Sequence, residues 1–495
     1  MVSRHLFIAA AVAAFSLTGA PGLAWPQAAP PTVKTQQGAV SGLISDGVVV
    51  YRGIPFAAPP VGTLRWRAPQ PVAGWKGVRD GSKPGATCFQ AMDCLYLNIH
   101  APAGAKPGAK LPVMFWIHGG SFINGSGSSF DGSSFARKGI VVVTINYRLG
   151  REGFFAHPAL SAENKEAKGN YGIQDQIAAL KWTKANIAAF GGDPAQVTAF
   201  GESAGAIALY DLMISPQARG LFTKAISESG FSRYESQTLA EAEASGQALA
   251  EQVGVKGAGP DALKGLRALP FNGLPKSTGL YDQARPRPII DGKTLPWSIP
   301  EAFAQGKELK IPFLVGGNSN EASLLPTKNA QARINAAATK PVPYTGPAMK
   351  VANAMVTAEQ ILEPNRNALR RHVKNTSLPV YFYYFSYVPP AQRPTSPGAA
   401  HGSELNYVFN SLKPDASPED HATAETMNAY WAAFAKYGEP GAAGGPAWPR
   451  WTPDKEAYIE FSASGPLIED HLQSAGIDWA EAELKGDQIV RRTEF

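Results

Sequence analysis

A chain of 495 residues, 44% of them hydrophobic, can bury a large core, and its length alone would allow two or three domains. The formal charge of +6 is spread thinly and no dense Lys/Arg run with interleaved aromatics occurs, so the composition argues against a nucleic-acid partner. No fixed-period repeat or long low-complexity block is present, which sets aside solenoid architectures.

Taken in order, the chain begins with Arg4 and His5, an apolar run from Leu6 to Leu17, and small residues at Gly19, Ala20 and Ala24. That layout predicts a signal peptide over residues 1–24, too short for a membrane span, and hence a secreted or periplasmic protein. Cleavage after Ala20 or Ala28 and an uncleaved anchor are the alternatives. No later stretch is long and apolar enough to cross a bilayer. Residues 25–36, rich in Pro, Ala and Gln, form a leader. Short alternating segments from Val33 to Phe56 predict antiparallel strands. Cys88 and Cys94 are the only cysteines, and in an exported protein so close a pair predicts one disulfide. Buried-strand runs follow at Leu95–Ile99, Val113–Ile117 and Ile140–Ile145, the last two of the kind covered on both faces. Helical spacing from Tyr171 to Ala189 stops at Gly191-Gly192-Asp193-Pro194.

The most informative stretch comes next. Val197–Phe200 reads as a strand, passes through Gly201-Glu202-Ser203-Ala204-Gly205, and continues as a helical pattern to Met213. A serine at a sharp strand-to-helix turn needs small residues two before and two after it, and the helix start offers an N–H where negative charge would develop. The pentapeptide alone is equally compatible with an ordinary strand-helix connection; its context favours a nucleophile. Beyond it lie strand signals at Thr223–Ser227, Ile311–Val315, Val380–Tyr387 and Ala457–Phe461. Helical ones run over Thr238–Leu269 and Asp420–Tyr437. The expected architecture is one α/β domain over residues 25–495, with cap insertions around 232–300 and 322–400.

A serine nucleophile needs a base, and the base needs an acid. Among eight histidines, His118 ends a buried strand and His401 sits in a Gly-rich loop after one. His100 and His157 lie in surface-like connections. Glu321 is the acid best placed at a strand end. The order Ser203, Glu321, His401 is that of α/β-hydrolases.

At this point the chain resembles the type-B carboxylesterase family, which includes the cholinesterases. The matching segments are Arg52–Phe56, Asp93–Asn98, His118–Gly120, Gly169–Gly172 with Asp175-Gln176, and Phe190–Pro194. The Ser203 elbow, Asn320-Glu321 and His401–Glu404 complete the series in family order. The resemblance implies an α/β-hydrolase fold with a central, mostly parallel sheet, and hydrolysis of carboxylic esters through an acyl-enzyme. It implies Ser203 as nucleophile, Glu321 as acid and His401 as base, with the N–H groups of Gly120, Ser121 and Ala204 as the oxyanion hole. By the same resemblance Ser229 is the serine that hydrogen-bonds the acid, while Glu202 supports the site. The chain departs from the pattern at Ser121, where many relatives have a third glycine, and at Met92, where they carry Glu.

No cofactor and no metal are expected, since no metal motif such as His-Glu-x-x-His occurs. The partner is a small-molecule ester, and the protein a monomer or homodimer. Amide, carbamate or polyester substrates are the near alternative and a non-catalytic binding member of the fold the remote one. A compact cap predicts short-chain acyl esters with bulky or aromatic alcohols, with Phe122, Phe154, Trp182 and Tyr281 as candidate wall residues. Activity is expected to fall below pH 6–7 as His401 protonates.

Overall fold

The computed structural model describes residues 31–484 except 165–166, 235, 278–283, 326–330, 332–333, 336–337 and 340–341. The signal segment 1–24 and Tyr281 lie outside the described residues. The apolar runs assemble into a sheet of eleven strands. In chain order these are β1 (Leu43–Ser45), β2 (Val48–Pro55), β3 (Tyr96–Pro102), β4 (Leu111–Ile117), β5 (Val141–Ile145) and β6 (Gly192–Glu202). They continue with β7 (Lys224–Glu228), β8 (Phe313–Asn318), β9 (Val380–Phe385), β10 (Tyr458–Ser462) and β11 (Gly465–Glu469). The spatial order is β11-β10-β9-β8-β7-β6-β4-β5-β3-β2-β1. Strands from β5 through β10 pair in parallel, and the antiparallel pairs lie at the two edges. This is the α/β-hydrolase arrangement.

Residues on β4 show why its run is unbroken. Val113, Phe115 and Ile117 point into one apolar cluster, which includes Ile173 and Ile177 of helix α1 (Tyr171–Asn186) and Ile207 and Leu212 of helix α2 (Ala204–Ile214). Met114 and Trp116 point the other way, towards Met427 and Trp431 of helix α3 (Pro418–Tyr437). Side chains alternate along a strand, so a strand covered by helices on both faces has no polar position to offer. Helix α3 starts two residues before the predicted Asp420. Ser417 and Asp420 form a capping box there, and Gly438 closes the helix at φ 75°.

Two of the elements that escaped the sequence reading lie near the end of the described residues. Strand β11 pairs antiparallel with β10 around a tight turn, and a helix follows at Ser474–Leu484. The first is a half-exposed Gly-Pro-containing segment whose strand character comes only from its partner. Similarly, β6 begins at Gly192, five residues before the predicted Val197, because Gly192 pairs with Leu111. The connection β7–β8 carries helices Leu239–Gln252 and Pro260–Ala268, and β8–β9 carries Ala348–Thr357 and Glu363–Asn375. The carboxyl ends of β4, β6, β7, β8 and β9 open on the same side of the sheet, where α/β folds place their sites.

Candidate active site

Ser203 follows β6 directly and is the N-cap of α2, at φ 55° and ψ −121°. For a residue with a Cβ this is strained backbone, and the surroundings hold it in place. Its N–H donates to Glu228 O (3.0 Å), and its carbonyl accepts from the Ile207 N–H (2.9 Å). The flanking glycines are obligatory: a Cβ at Gly205 would lie 2.0 Å from Ile117 O, and one at Gly201 would lie 2.7 Å from the Gly205 carbonyl carbon. The hydroxyl is thereby held clear of the sheet at the head of the helix.

The loop after β4 turns in an equally restricted way. Gly120 has φ +100°, and a Cβ there would meet Asn124 Oδ1 at 2.2 Å. Its carbonyl accepts from the N–H groups of Ile123 (3.0 Å) and Asn124 (3.1 Å). Ser121 and Phe122 both have positive φ, 56° and 61°. Ser121 thus occupies glycine-like backbone and keeps its N–H. Among the described residues the N–H groups of Gly120, Ser121 and Ala204 donate to no protein acceptor. Beneath the loop, Tyr147 donates its hydroxyl to His118 O (2.8 Å) and its ring stacks on the His118 ring. Burial pushes His118 down to about 4, so this ring stays neutral.

His401 reaches the same place from the loop after β9. An isolated bridge between Asn320 and Ala400 docks that loop on the end of β8, and the His401 N–H donates to Ser323 Oγ (2.8 Å). His401 Nδ1 lies 2.5 Å from Glu321 Oε2. The other Glu321 oxygen accepts from Ser229 Oγ (2.6 Å) and from the Asn318 N–H (2.7 Å). Glu321 is fully buried, and these donors give its carboxylate the partners that burial demands. On the far side of the ring, His401 Nε2 lies 3.2 Å from Glu202 Oε1. A Cβ at Gly119 would sit 2.5 Å from Glu202 Oε2, which accounts for the second residue of His118-Gly119-Gly120.

A ring between two carboxylates titrates unlike a free histidine. Burial opposes its charge, but Glu321, then Glu202 and Glu404, outweigh burial and raise His401 to about 9. This moves the expected acid limb upward from pH 6–7. Glu202 is itself raised to about 7 by burial, with the His401 charge opposing and Glu321 adding. Two further buried acids lie behind them. Glu404 is raised to about 8 by burial and by Glu202 and Glu321, and accepts from Asn318 Nδ2. Glu228, pushed well up by burial and by Glu404, accepts from the Trp431 indole N–H (2.8 Å). Neither acid was given a role from sequence. Glu404 ends the quoted His401–Glu404 segment and Glu228 directly precedes Ser229, and only packing shows that both are buried close to Glu202.

Ser203, His401 and Glu202 line one cavity of about 180 Å³ with the Gly120–Phe122 turn, Ile207, Phe231, Tyr234, Arg285 and Leu324. Of the candidate wall aromatics, Phe122 lines this cavity and Phe154 packs behind it, 4.9 Å between ring centres. Trp182 belongs to a different groove, beside Gln37. His100 and His157, read as surface-like, are buried at 4% and 0% exposure: His100 lies inside β3 and His157 caps a short helix. Cys88 and Cys94 are joined as a disulfide. Among the described residues no group of three His, Cys, Asp or Glu could hold a metal ion, and no helix is long and apolar enough to cross a membrane.

A strand–turn–helix elbow carrying Gly-x-Ser-x-Gly at the carboxyl edge of such a sheet is the arrangement of the α/β-hydrolase fold. The model of the Carboxylesterase family matches residues 29–342 and 344–478, and the chain belongs to that family and is a carboxylic-ester hydrolase. It is 38% identical over 464 residues to fumonisin B1 esterase of Sphingopyxis macrogoltabida, covering 84% of each chain. It is 35% identical to para-nitrobenzyl esterase of Bacillus subtilis, covering 82% of this chain and 90% of that one. Its structure resembles that of the Geobacillus stearothermophilus carboxylesterase EST55 with a TM-score of 0.77 and 33% identity, over 91% of this chain and 99% of the other.

Proposed function

We propose that this carboxylesterase acts through Ser203, His401 and Glu321, by way of an acyl-enzyme. The observation that carries the reading is the 2.5 Å contact between His401 Nδ1 and Glu321 Oε2, in a cavity that also holds Ser203 and the undonated N–H groups of Gly120, Ser121 and Ala204. Glu321 fixes the tautomer that leaves Nε2 as the proton acceptor. Nε2 takes the Ser203 proton as Oγ attacks the ester carbonyl. The carbonyl oxygen becomes an oxyanion facing the three N–H groups, each worth about 3–4 kcal/mol to such a transition state. Collapse expels the alcohol, which takes the proton from Nε2. Water, activated by the same nitrogen, then attacks the acyl-enzyme and releases the acid.

The cavity is small, and its aromatic side favours short acyl groups joined to bulky or aromatic alcohols. The similarity to a para-nitrobenzyl esterase, named for an ester of an aromatic alcohol, supports this preference. The apolar run and small residues within 1–24 support export to the periplasm or beyond. The test of the nucleophile is Ser203→Ala with an organophosphate probe. Loss of both ester turnover and covalent labelling is expected, and a labelled variant would place the nucleophile elsewhere.

A further inference from the structure

Glu321 opens the short 3-10 turn Glu321–Leu324, and more than its carboxylate faces the site. Ser323 Oγ accepts from the His401 N–H (2.8 Å), and Leu324 lines the cavity. The first N–H of such a turn finds no acceptor inside it, and the N-cap Asn320 makes no side-chain capping hydrogen bond. Glu321 is fully buried, so water does not reach this N–H either, and a buried donor demands a partner. The partner comes from 36 residues further on: the Glu321 N–H donates to Thr357 Oγ1 (3.1 Å), and Thr357 is itself 1% exposed.

Thr357 ends the helix Ala348–Thr357, and the chain runs on through one π turn, Ala358–Leu362, into the helix Glu363–Asn375. The Glu363 N–H donates to Ala358 O, five residues back. Pro364 comes next. In an α-helix its ring would press on the carbonyl four residues earlier, and the wider turn relieves that contact. The turn also sets a face. Residues four apart on an α-helix drift around its axis by about 40° per step, and a turn wound one residue wider offsets the drift. Thr357, Ile361 and Asn365 therefore all meet β8 and the acid that follows it. Thr357 takes the Glu321 N–H, a Cβ at Gly317 would lie 2.5 Å from Ile361 Cγ2, and Asn365 Nδ2 donates to Gly316 O (3.1 Å). Asn365 Oδ1 in turn accepts from the Tyr210 hydroxyl (2.9 Å) on α2, the helix that Ser203 heads.

We propose that Thr357 is a positioning residue for ester hydrolysis: its hydroxyl, presented by the π-turned helix, holds the Glu321 turn where the carboxylate meets His401 Nδ1. The proposal rests on the reading of Glu321 as the catalytic acid. Ser229 Oγ and the Asn318 N–H set the carboxylate from the sheet side, and Thr357 sets the backbone that carries it. Reacting groups tolerate little displacement, so a tie lost at this turn is felt in turnover more than in substrate binding.

The experiment measures kcat and KM for 4-nitrophenyl acetate from pH 5.5 to 10 in the wild type, Thr357→Val and Thr357→Ser, per active site titrated with an organophosphate. Valine keeps the shape of the side chain and removes the acceptor, whereas serine keeps the acceptor. Thr357→Val should lower kcat by about tenfold with KM within about twofold of the wild type, and Thr357→Ser should stay within about threefold in kcat. In Thr357→Val the acid limb should also move down by about half a pH unit, because a displaced Glu321 supports the His401 charge less while Glu202 and Glu404 are unchanged. A valine variant with wild-type kcat, an acid limb that does not move, or a serine variant as impaired as the valine one would overturn the proposal. If the valine variant does not fold, Thr357→Ala, which also removes the acceptor, takes its place in the same comparison. Glu321→Gln in the same assay tests the underlying reading: near-normal kcat there removes Glu321 as the acid. A crippled Glu321→Gln beside a normal Thr357→Val defeats only the present proposal.

Discussion

Glu202→Gln should move the acid limb of the pH–rate profile downward. In the proposed mechanism His401 must be neutral, so activity is lost as pH falls through its pKa, which two flanking carboxylates hold at about 9. Glu202 is raised only to about 7 and is therefore ionised over the range in which His401 titrates. At the observed 3.2 Å, unit charges interact by roughly 5 kcal/mol at an effective dielectric of about 20 and by about 1.3 kcal/mol in bulk water. The cavity opens to solvent, the Gln dipole keeps part of the interaction, and Glu321 and Glu404 remain, so the effect falls towards the lower figure. With about 1.36 kcal/mol per pKa unit, the limb should move down by about one to two pH units. Gln keeps the shape of the side chain, so the change is chiefly one of charge. The assay is kcat/KM for 4-nitrophenyl acetate between pH 5.5 and 10, corrected for spontaneous hydrolysis. The variant should gain on the wild type at pH 6.5 and lose that advantage at pH 9.5. An acid limb that stays put, or a wild-type limb already centred near 6, would refute the electrostatic account of the ring.

Glu321→Gln should lower kcat by orders of magnitude with a modest change in KM, because the lost charge matters most as the imidazolium forms; near-normal kcat in steady-state assays would assign the acid elsewhere. Gly205→Ala places a Cβ 2.0 Å from Ile117 O, backbone that cannot yield, and should destabilise the fold by about 3 kcal/mol or more, read as a fall in Tm and soluble yield. Across 4-nitrophenyl esters of rising acyl length, kcat/KM should peak between acetyl and butyryl, since each methylene left unburied forfeits about 0.8 kcal/mol. A maximum at about eight carbons would exclude a short pocket.

Much of this protein is legible along the chain because the signals are local. The two-sided apolar runs at Val113–Ile117 and Val141–Ile145 have no polar alternation, so they predict strands covered by helices. Gly201 and Gly205 mark the elbow because a sharp turn around Ser203 excludes any Cβ, a constraint that acts over five residues. Glu321 and His401 were found by chain order and resemblance, although 80 residues separate them. What they become depended on the tertiary structure. The approach of Glu202 to the open side of the imidazole, the burial of Glu228 and Glu404 behind it, and the entry of Arg285 into the cavity join segments from β6, β7, the loop after β9 and the β7–β8 connection. Charge and burial at such a junction are sums over groups distant in sequence, and no local pattern encodes them. The same holds for β11, whose half-exposed Gly-Pro segment is a strand only because β10 lies beside it. His157 likewise reads as a loop residue until the packed structure closes over it. The position of Ser203 at its elbow is thus a property of the sequence, whereas the charge and burial around His401 belong to the fold.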